Sequence, residues 1–90
     1  MKRYYVIFKG RVQGVGFRYT IKELAQKYGF TGSCKNLLNG NVEVEVQGNE
    51  NNIMPFIADV LEPRRFIVVN DYSFNEIDVV ENEGSFRIEH

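Results

Sequence analysis

The hydrophobic residues of this chain repeat with a period that changes along its length, and the order of those changes limits the folds it can adopt. Residues 4–12 are rich in aromatic and β-branched side chains, which predicts a strand. From Phe17 onward, four apolar residues follow the i, i+3, i+4, i+7 spacing of one helical face: Ile21, Leu24, Ala25 and Tyr28. Gly29 is well placed to end that helix. The chain is therefore predicted to begin with a strand, a loop and a helix.

A hairpin is predicted next, because two strand-like segments, residues 30–38 and 42–47, flank the dipeptide Asn39-Gly40. Asn-Gly is the strongest short signal for a tight hairpin turn. In the second segment valines alternate with glutamates and a glutamine. That alternation predicts a strand with one buried face and one solvated face.

The helical spacing returns over residues 53–60, with Pro55 in the first turn, where proline is tolerated. Residues 66–77 predict a long strand, and a short final strand follows over residues 86–88. This β-α-β-β-α-β order predicts an α+β fold of the ferredoxin-like type, with an antiparallel sheet, two helices on one face and a short extra C-terminal strand. Since the chain has 90 residues and no long linker, we expect a single domain over residues 1–90.

The charge balance and the cysteine count narrow the class of protein. Eleven basic residues stand against twelve acidic ones, whereas proteins that bind nucleic acid through its phosphates usually carry a basic excess. The apolar stretch near the N-terminus is soon interrupted by Lys9, so we expect neither a signal peptide nor a membrane span. The only cysteine, Cys34, cannot form an intrachain disulfide. A cytoplasmic monomer without a nucleic-acid or membrane partner is the simplest expectation.

No group of His, Cys or carboxylate residues has the spacing of metal ligands, so we expect no metal and no other cofactor. Cys34 is expected to be a small core residue. His90 is expected to lie in a disordered tail, and the pair Arg64-Arg65 in a solvated loop.

Residues 10–18, with the sequence Gly-Arg-Val-Gln-Gly-Val-Gly-Phe-Arg, have the composition of an anion-binding loop. A glycine-rich turn can direct successive backbone N–H groups into one concavity, and the following helix adds the positive end of its dipole. Arg18 lies in the predicted first helical turn, where its guanidinium can hold two phosphate oxygens. On spacing alone this signal is weak, because most such turns are only turns. The segment matches neither the Walker nor the dinucleotide-binding pattern.

Two segments of the chain resemble the two signatures of the acylphosphatase family. The first is residues 10–18, and the second is Gly32-Ser33-Cys34-Lys35-Asn36-Leu37-Leu38-Asn39-Gly40-Asn41-Val42 followed by Gly48. The resemblance spans the chain and implies a metal-independent hydrolase that splits the carboxyl-phosphate bond of acyl phosphates into a carboxylate and inorganic phosphate. One departure is Ser33, where the family commonly has an aromatic residue. Strand parity directs Ser33 away from Asn36, so we expect this change to affect packing rather than chemistry.

The resemblance also implies roles for individual residues. Arg18 would bind the phosphoryl group and offset its charge, and Asn36 would orient the attacking water. The substrate-binding loop would comprise Gln13, Gly14, Val15, Gly16, Phe17 and Arg18. An acyl phosphate is already activated, so its hydrolysis depends on positioning and charge stabilisation more than on a strong acid or base. Inorganic phosphate is expected to compete with the substrate.

Two other functions are compatible with the predicted fold. The first is a non-catalytic RNA-binding or regulatory module that stacks bases on strand aromatics such as Tyr5. The solvated face of the third strand carries Glu43, Glu45 and Gln47, which opposes that function. The second is an acylphosphatase-like domain excised from a larger protein, such as a hydrogenase-maturation carbamoyltransferase.

Overall fold

The computed structural model describes residues 1–90 and contains five strands and two helices. In chain order these are β1 (Lys2–Arg11), α1 (Phe17–Lys27), β2 (Thr31–Asn36), β3 (Val42–Gly48), α2 (Ile53–Val60), β4 (Val68–Ile77) and β5 (Phe86–Ile88). A short 3-10 turn, Glu50–Asn52, leads into α2. The predicted order of elements, including the extra final strand, is confirmed. No helix combines the length and apolar character needed to cross a bilayer.

The five strands form one sheet in the order β4-β1-β3-β2-β5. The pairs β1–β3, β1–β4 and β2–β3 are antiparallel, as predicted, but β5 runs parallel to β2. The sheet is therefore mixed. The parallel pair arises because residues 78–85 carry the chain from the β4 edge to the opposite edge, where β5 pairs beside β2.

Both helices pack on one face of the sheet and bury most of the apolar residues that their spacing predicted, but Tyr28 lies just after the end of α1 and is half-buried. From α1 and α2 the buried side chains are Phe17, Ile21, Leu24, Ala25, Ile53, Phe56, Ile57 and Val60. They meet alternate residues of the central strands: Tyr4, Val6, Phe8, Val42, Val44 and Val46. Burial of each large aliphatic or aromatic side chain stabilises the fold by roughly 1.5–3 kcal/mol. This layer supports the start of α1.

The other face of the sheet is not fully solvated, because residues 78–85 cross it as a strap. Arg3, only 3% exposed, donates through Nη1 to Oε1 of Glu83 at 2.8 Å and through Nε to Oε1 of Glu45 at 2.9 Å. The amide of Gln47 exchanges two hydrogen bonds with the backbone of Val80, at 2.9 and 2.8 Å. Ser33 is buried on this face, as strand parity predicts. The strap is why Gln47 is buried rather than solvated.

Arg64 differs from its predicted solvated state. Its Nη1 donates to the carbonyls of Asp59, Val60 and Glu62 at 2.7, 3.2 and 3.1 Å. The last carbonyls of a helix lack intrahelical partners, so Arg64 caps the C-terminal end of α2. Arg64 follows these three residues by only two to five positions, so the capping contact is local in sequence.

The connection between β2 and β3 is longer than the predicted tight turn. β2 ends at Asn36 rather than Leu38, which leaves residues 37–41 as the loop. The N–H of Leu37 donates to the carbonyl of Asn41 at 2.9 Å and closes the base of this loop. Gly40 adopts a φ of +95°, in the region that favours glycine. The Asn-Gly signal located the turn correctly but not its length.

Candidate active site

The glycine-rich loop between β1 and α1 requires glycine for conformational reasons. Gly14 and Gly16 have φ values of +73° and +79°. A Cβ atom at either position would meet no atom within 4 Å, so the requirement comes from the backbone angles and not from crowding. Residues in the left-handed conformation allow successive backbone N–H groups of a loop to point to one side, where they can bind an anion. The predicted role of these glycines as turn formers is therefore supported at both positions.

The N-terminus of α1 is left open to an incoming anion. Gly16 occupies the N-cap position, so no side chain caps the first N–H groups, and the first turn has no acidic residue. Uncapped N–H groups and the helix dipole both favour a negative group at this end. Phe17 fixes the helix start because its buried ring packs edge-on against Phe8, with centroids 5.5 Å apart. Val15 packs against the core beside it.

Arg18 is half-buried in the first turn of α1, and its guanidinium has no carboxylate within salt-bridge distance. Its Nη1 donates to the carbonyl of Glu89 at 3.0 Å and lies 3.3 Å from Nδ1 of His90. A neutral carbonyl orients a guanidinium without cancelling its charge. Arg18 therefore keeps a positive charge available for a phosphoryl group.

The C-terminal residues at the site were not foreseen as contacts of Arg18. His90 lies beside the guanidinium instead of in a disordered tail. The N–H of Glu89 donates to the carbonyl of Cys34 at 2.8 Å, which continues the β5–β2 pairing to the chain end. No local sequence signal predicts the contact between Arg18 and His90, because it depends on the pairing of β5 with β2.

Asn36 is the last residue of β2, and its side chain is exposed. It lies two residues beyond Cys34, on the same face of the strand. The thiol of Cys34 approaches the carbonyl oxygen of Arg18 at 3.8 Å. Arg18 and Asn36 are thus at the same corner of the molecule, where the start of α1 meets the end of β2.

The loop of residues 12–16 is also tied directly to this corner. Nε2 of Gln13 donates to the carbonyl of Leu37 at 2.7 Å and to that of Asn41 at 2.8 Å. The half-buried Gln13 side chain therefore faces the β2–β3 loop.

The corner contains neither a reactive cysteine nor a group of metal-binding side chains. Burial raises the pKa of the Cys34 thiol to about 12, although the charge of Arg18 acts in the opposite direction. Such a thiol is almost entirely protonated at neutral pH, and the thiolate is the reactive form. No three His, Cys, Asp or Glu residues are close enough together to hold a metal ion. The corner instead offers an arginine, an uncapped helix end and an amide.

A sequence model of the acylphosphatase family matches residues 4–88. The chain belongs to the acylphosphatase family. The acylphosphatase of Clostridium beijerinckii is 49% identical to it over 90 residues, which is all of both chains. The crystal structure of acylphosphatase from Bacillus subtilis matches it with a TM-score of 0.92 at 38% identity, again over the full length of both. A full-length HypF structure matches with a TM-score of 0.85 at 29% identity, covering 99% of this chain and 12% of HypF.

Membership of the acylphosphatase family makes the chain a hydrolase of acyl phosphates, as the two signatures implied. The alternative functions are not favoured. The hydroxyl of Tyr5 donates to Glu43 at 2.7 Å, and this hydrogen bond is the main reason that the pKa of Tyr5 is raised to about 12. The aromatic proposed for RNA stacking is thus held among carboxylates. The full-length matches to acylphosphatases are also more similar in sequence than the partial match to HypF.

A cavity of about 250 Å³ lies elsewhere on this acylphosphatase, between the end of α2 and the start of β4. Its lining is largely apolar and includes Val60, Pro63 and Ile67. Neither Arg18 nor Asn36 lines it. An apolar cavity suits a phosphoryl group poorly, since a buried charge needs polar partners.

Proposed function

We propose that acyl-phosphate hydrolysis takes place at the corner formed by Arg18, Asn36 and the loop of residues 13–17. The observation that carries the proposal is an uncapped helix N-terminus and an arginine without a carboxylate partner, both beside an exposed asparagine. Together these groups supply charge for a phosphoryl group and an amide that can orient water.

Arg18 and the loop bind the phosphoryl group in this proposal. The guanidinium holds two phosphoryl oxygens and offsets the charge that develops in the transition state. The backbone N–H groups of Gln13, Gly14, Val15, Gly16 and Phe17 surround the remaining oxygens. Donors that are held in place before the substrate arrives need little reorganisation during the reaction.

Asn36 orients the attacking water in line with the carboxylate leaving group. A side-chain amide has one oxygen that accepts and one nitrogen that donates, so it can hold a water but cannot act as a useful general base. The proton of the water therefore passes to a phosphoryl oxygen of the substrate. The bond between phosphorus and the bridging oxygen breaks, and a carboxylate and inorganic phosphate leave.

We further propose a single domain over residues 1–90 that acts as a cytoplasmic monomer on small acyl phosphates. It uses no metal or other cofactor and has no nucleic-acid or membrane partner. The net charge of −1 and the lone buried cysteine support this description. Turnover is expected to persist in excess chelator, and activity that disappears and returns with added metal would contradict the metal-free mechanism.

Turnover of benzoyl phosphate by the purified chain tests the site. Arg18→Ala and Asn36→Ala are each expected to lower kcat at least about a hundredfold, the first by loss of transition-state charge stabilisation and the second by loss of the alignment of the water. Arg18→Lys should also have a much lower kcat, because the ammonium group of lysine cannot form the two parallel hydrogen bonds of a guanidinium. Arg65→Ala and Asn75→Ala remove the same groups from exposed positions outside the site and should leave kcat unchanged. Wild-type turnover in both site variants would overturn the proposal.

A further inference from the structure

The side chain of Gln13 joins two loops that approach each other only in the folded chain. It donates two hydrogen bonds from Nε2, to the carbonyl oxygens of Leu37 and Asn41. These two residues form the base of the β2–β3 loop, where the N–H of Leu37 also donates to the carbonyl of Asn41 at 2.9 Å. The Gln13 amide therefore completes a three-bond closure of that base.

The two ends of this connection lie next to the two halves of the proposed site. Gln13 directly precedes Gly14, the first left-handed residue of the loop, and Leu37 directly follows Asn36. Glycines leave a backbone conformationally permissive, so the loop of residues 13–16 is not fixed by its own sequence. Its position relative to the end of β2 needs a contact from outside the loop.

The proposed reaction is sensitive to that relative position. In-line attack requires the water on Asn36 and the phosphoryl group on the loop to be aligned, and a displacement of about 1 Å can lower the rate about a hundredfold. A functional group is held accurately when neighbouring hydrogen bonds lock the residues around it. The two Gln13 hydrogen bonds are in the right place to do this.

We propose that Gln13 is a positioning residue, which sets the distance between the phosphate-binding loop and Asn36 through the carbonyls of Leu37 and Asn41. This inference rests on the proposed function. The Gln13 side chain contacts the protein and not the substrate, so it acts on alignment rather than on phosphate affinity. It therefore affects kcat more than KM.

Gln13→Ala tests this role, with Asn52→Ala as the matched control. Nδ2 of Asn52 donates to the carbonyl of Tyr28 at 2.9 Å, which is the same kind of amide-to-carbonyl bond at a position outside the site. We expect Gln13→Ala to lower kcat for benzoyl phosphate about ten- to a hundredfold, with KM and inhibition by inorganic phosphate changed less than about threefold. Asn52→Ala should lower the urea midpoint with kcat unchanged. Wild-type kcat in Gln13→Ala, or equal losses of kcat in both variants, would overturn the proposal.

Gln13→Glu provides a second readout, with its urea midpoint measured at each pH to show that the variant stays folded. An ionised carboxylate cannot donate to two carbonyls, whereas a protonated carboxyl can donate to one. The activity of Gln13→Glu relative to the wild type should therefore rise as the pH falls through the range in which the new carboxyl becomes protonated. A constant ratio across that range contradicts the proposal.

Asn36→Ala and Arg18→Ala, measured in parallel, distinguish failure of the proposed site from failure of the positioning role of Gln13. If these variants lose activity and Gln13→Ala does not, the positioning role fails while the site assignment stands. If they keep wild-type activity, the proposed site itself fails.

Discussion

The thiol of Cys34 lies 3.8 Å from the carbonyl oxygen of Arg18, so the first turn of α1 rests directly on β2. This contact joins residues 16 positions apart and sets the start of the helix against the strand that ends in Asn36. Cys34 is nearly inaccessible, and its burial raises the pKa of the thiol to about 12. The residue is a core contact next to the site, which confirms its predicted place in the core.

The native Cys34 is therefore expected to react very slowly with iodoacetamide at pH 8. Both the small thiolate fraction and the lack of access oppose alkylation. In urea the thiol becomes exposed, its pKa returns toward the ordinary value, and it should react rapidly. Mass spectrometry of the alkylated chain measures both rates. Rapid stoichiometric alkylation of the folded protein would show that the thiol is not held as described.

Gly16→Ala tests the conformational demand at the start of α1. The left-handed backbone costs an L residue roughly 1–2 kcal/mol, and at Gly16 no steric clash adds to it. We expect a stability loss of about 1 kcal/mol, measured by urea unfolding, and at least about a tenfold loss of kcat as the loop shifts.

Gly29→Ala is the matched control for that variant. Gly29 has a φ of +73° just after α1, and a Cβ there also meets no atom within 4 Å. Gly29→Ala should lower the free energy of unfolding about as much as Gly16→Ala does. Its kcat should be unchanged, because residue 29 lies at the opposite end of α1 from the loop. Equal losses of kcat in the two variants would mean that the loop conformation has no specific part in catalysis.

The Arg3–Glu83 pair should make the stability of the fold depend on acid. Burial of Glu83 favours its protonated form, but the hydrogen bonds from Arg3 and Thr31, with the charges of Arg3 and Arg87, outweigh that effect, so the pKa of Glu83 lies below its usual value. Since the folded-state pKa is the lower one, the pair stabilises the fold above the ordinary carboxyl range. That stabilisation is lost as the pH falls through the lowered pKa. Glu83→Ala should cost about 2 kcal/mol at pH 7, because it removes the hydrogen bonds of one of the two carboxylates that pair with the buried Arg3 and leaves Glu45 as the other.

Urea unfolding from pH 7 down to pH 3 checks this dependence. The fall in stability with acid should be smaller in Glu83→Gln than in the wild type, since the glutamine does not titrate. Glu81→Gln, at an exposed position in the same strap and outside any ion pair, should follow the wild-type curve. Parallel curves for all three proteins would mean that Glu83 is not the acid-sensitive group.

The local parts of this structure could be predicted from sequence and the long-range parts could not. The i, i+3, i+4 spacing around Ile21 and the glycines before Phe17 are signals contained within a few residues, and the helix and the turn that they predict are both present. The partner of Glu83 lies 80 residues away, and the carbonyl bound by Arg18 lies 71 residues away. No periodicity encodes such pairings, because they depend on which strand β5 joins and where the strap crosses the sheet.

The β2–β3 loop shows the same limit within the candidate site. Asn-Gly favours a turn wherever it occurs, so its position was predicted, yet β2 ends two residues earlier than expected. At the base of this loop, the carbonyls of Leu37 and Asn41 accept from Gln13, 24 and 28 residues away. The end of β2 at Asn36 therefore lies beside hydrogen bonds from Gln13, and local strand propensity does not predict this boundary.

Binding of inorganic phosphate should separate the roles of Arg18 and Asn36, because of these two side chains Arg18 is proposed to hold the phosphoryl group and Asn36 the water. A ligand that binds only the folded state raises stability by RT ln(1 + [L]/Kd), about 1.4 kcal/mol at ten times Kd. For a domain of this size that corresponds to a rise in Tm of roughly 5–10 °C. The rise should be preserved in Asn36→Ala, although that variant is inactive, and should be lost in Arg18→Ala. Sulfate and phosphate also stabilise folded proteins without binding to a site, so the rise due to the anion site is the difference between the wild type and Arg18→Ala at the same phosphate concentration. Loss of the phosphate effect in Asn36→Ala would place this side chain on the phosphoryl group rather than on the water.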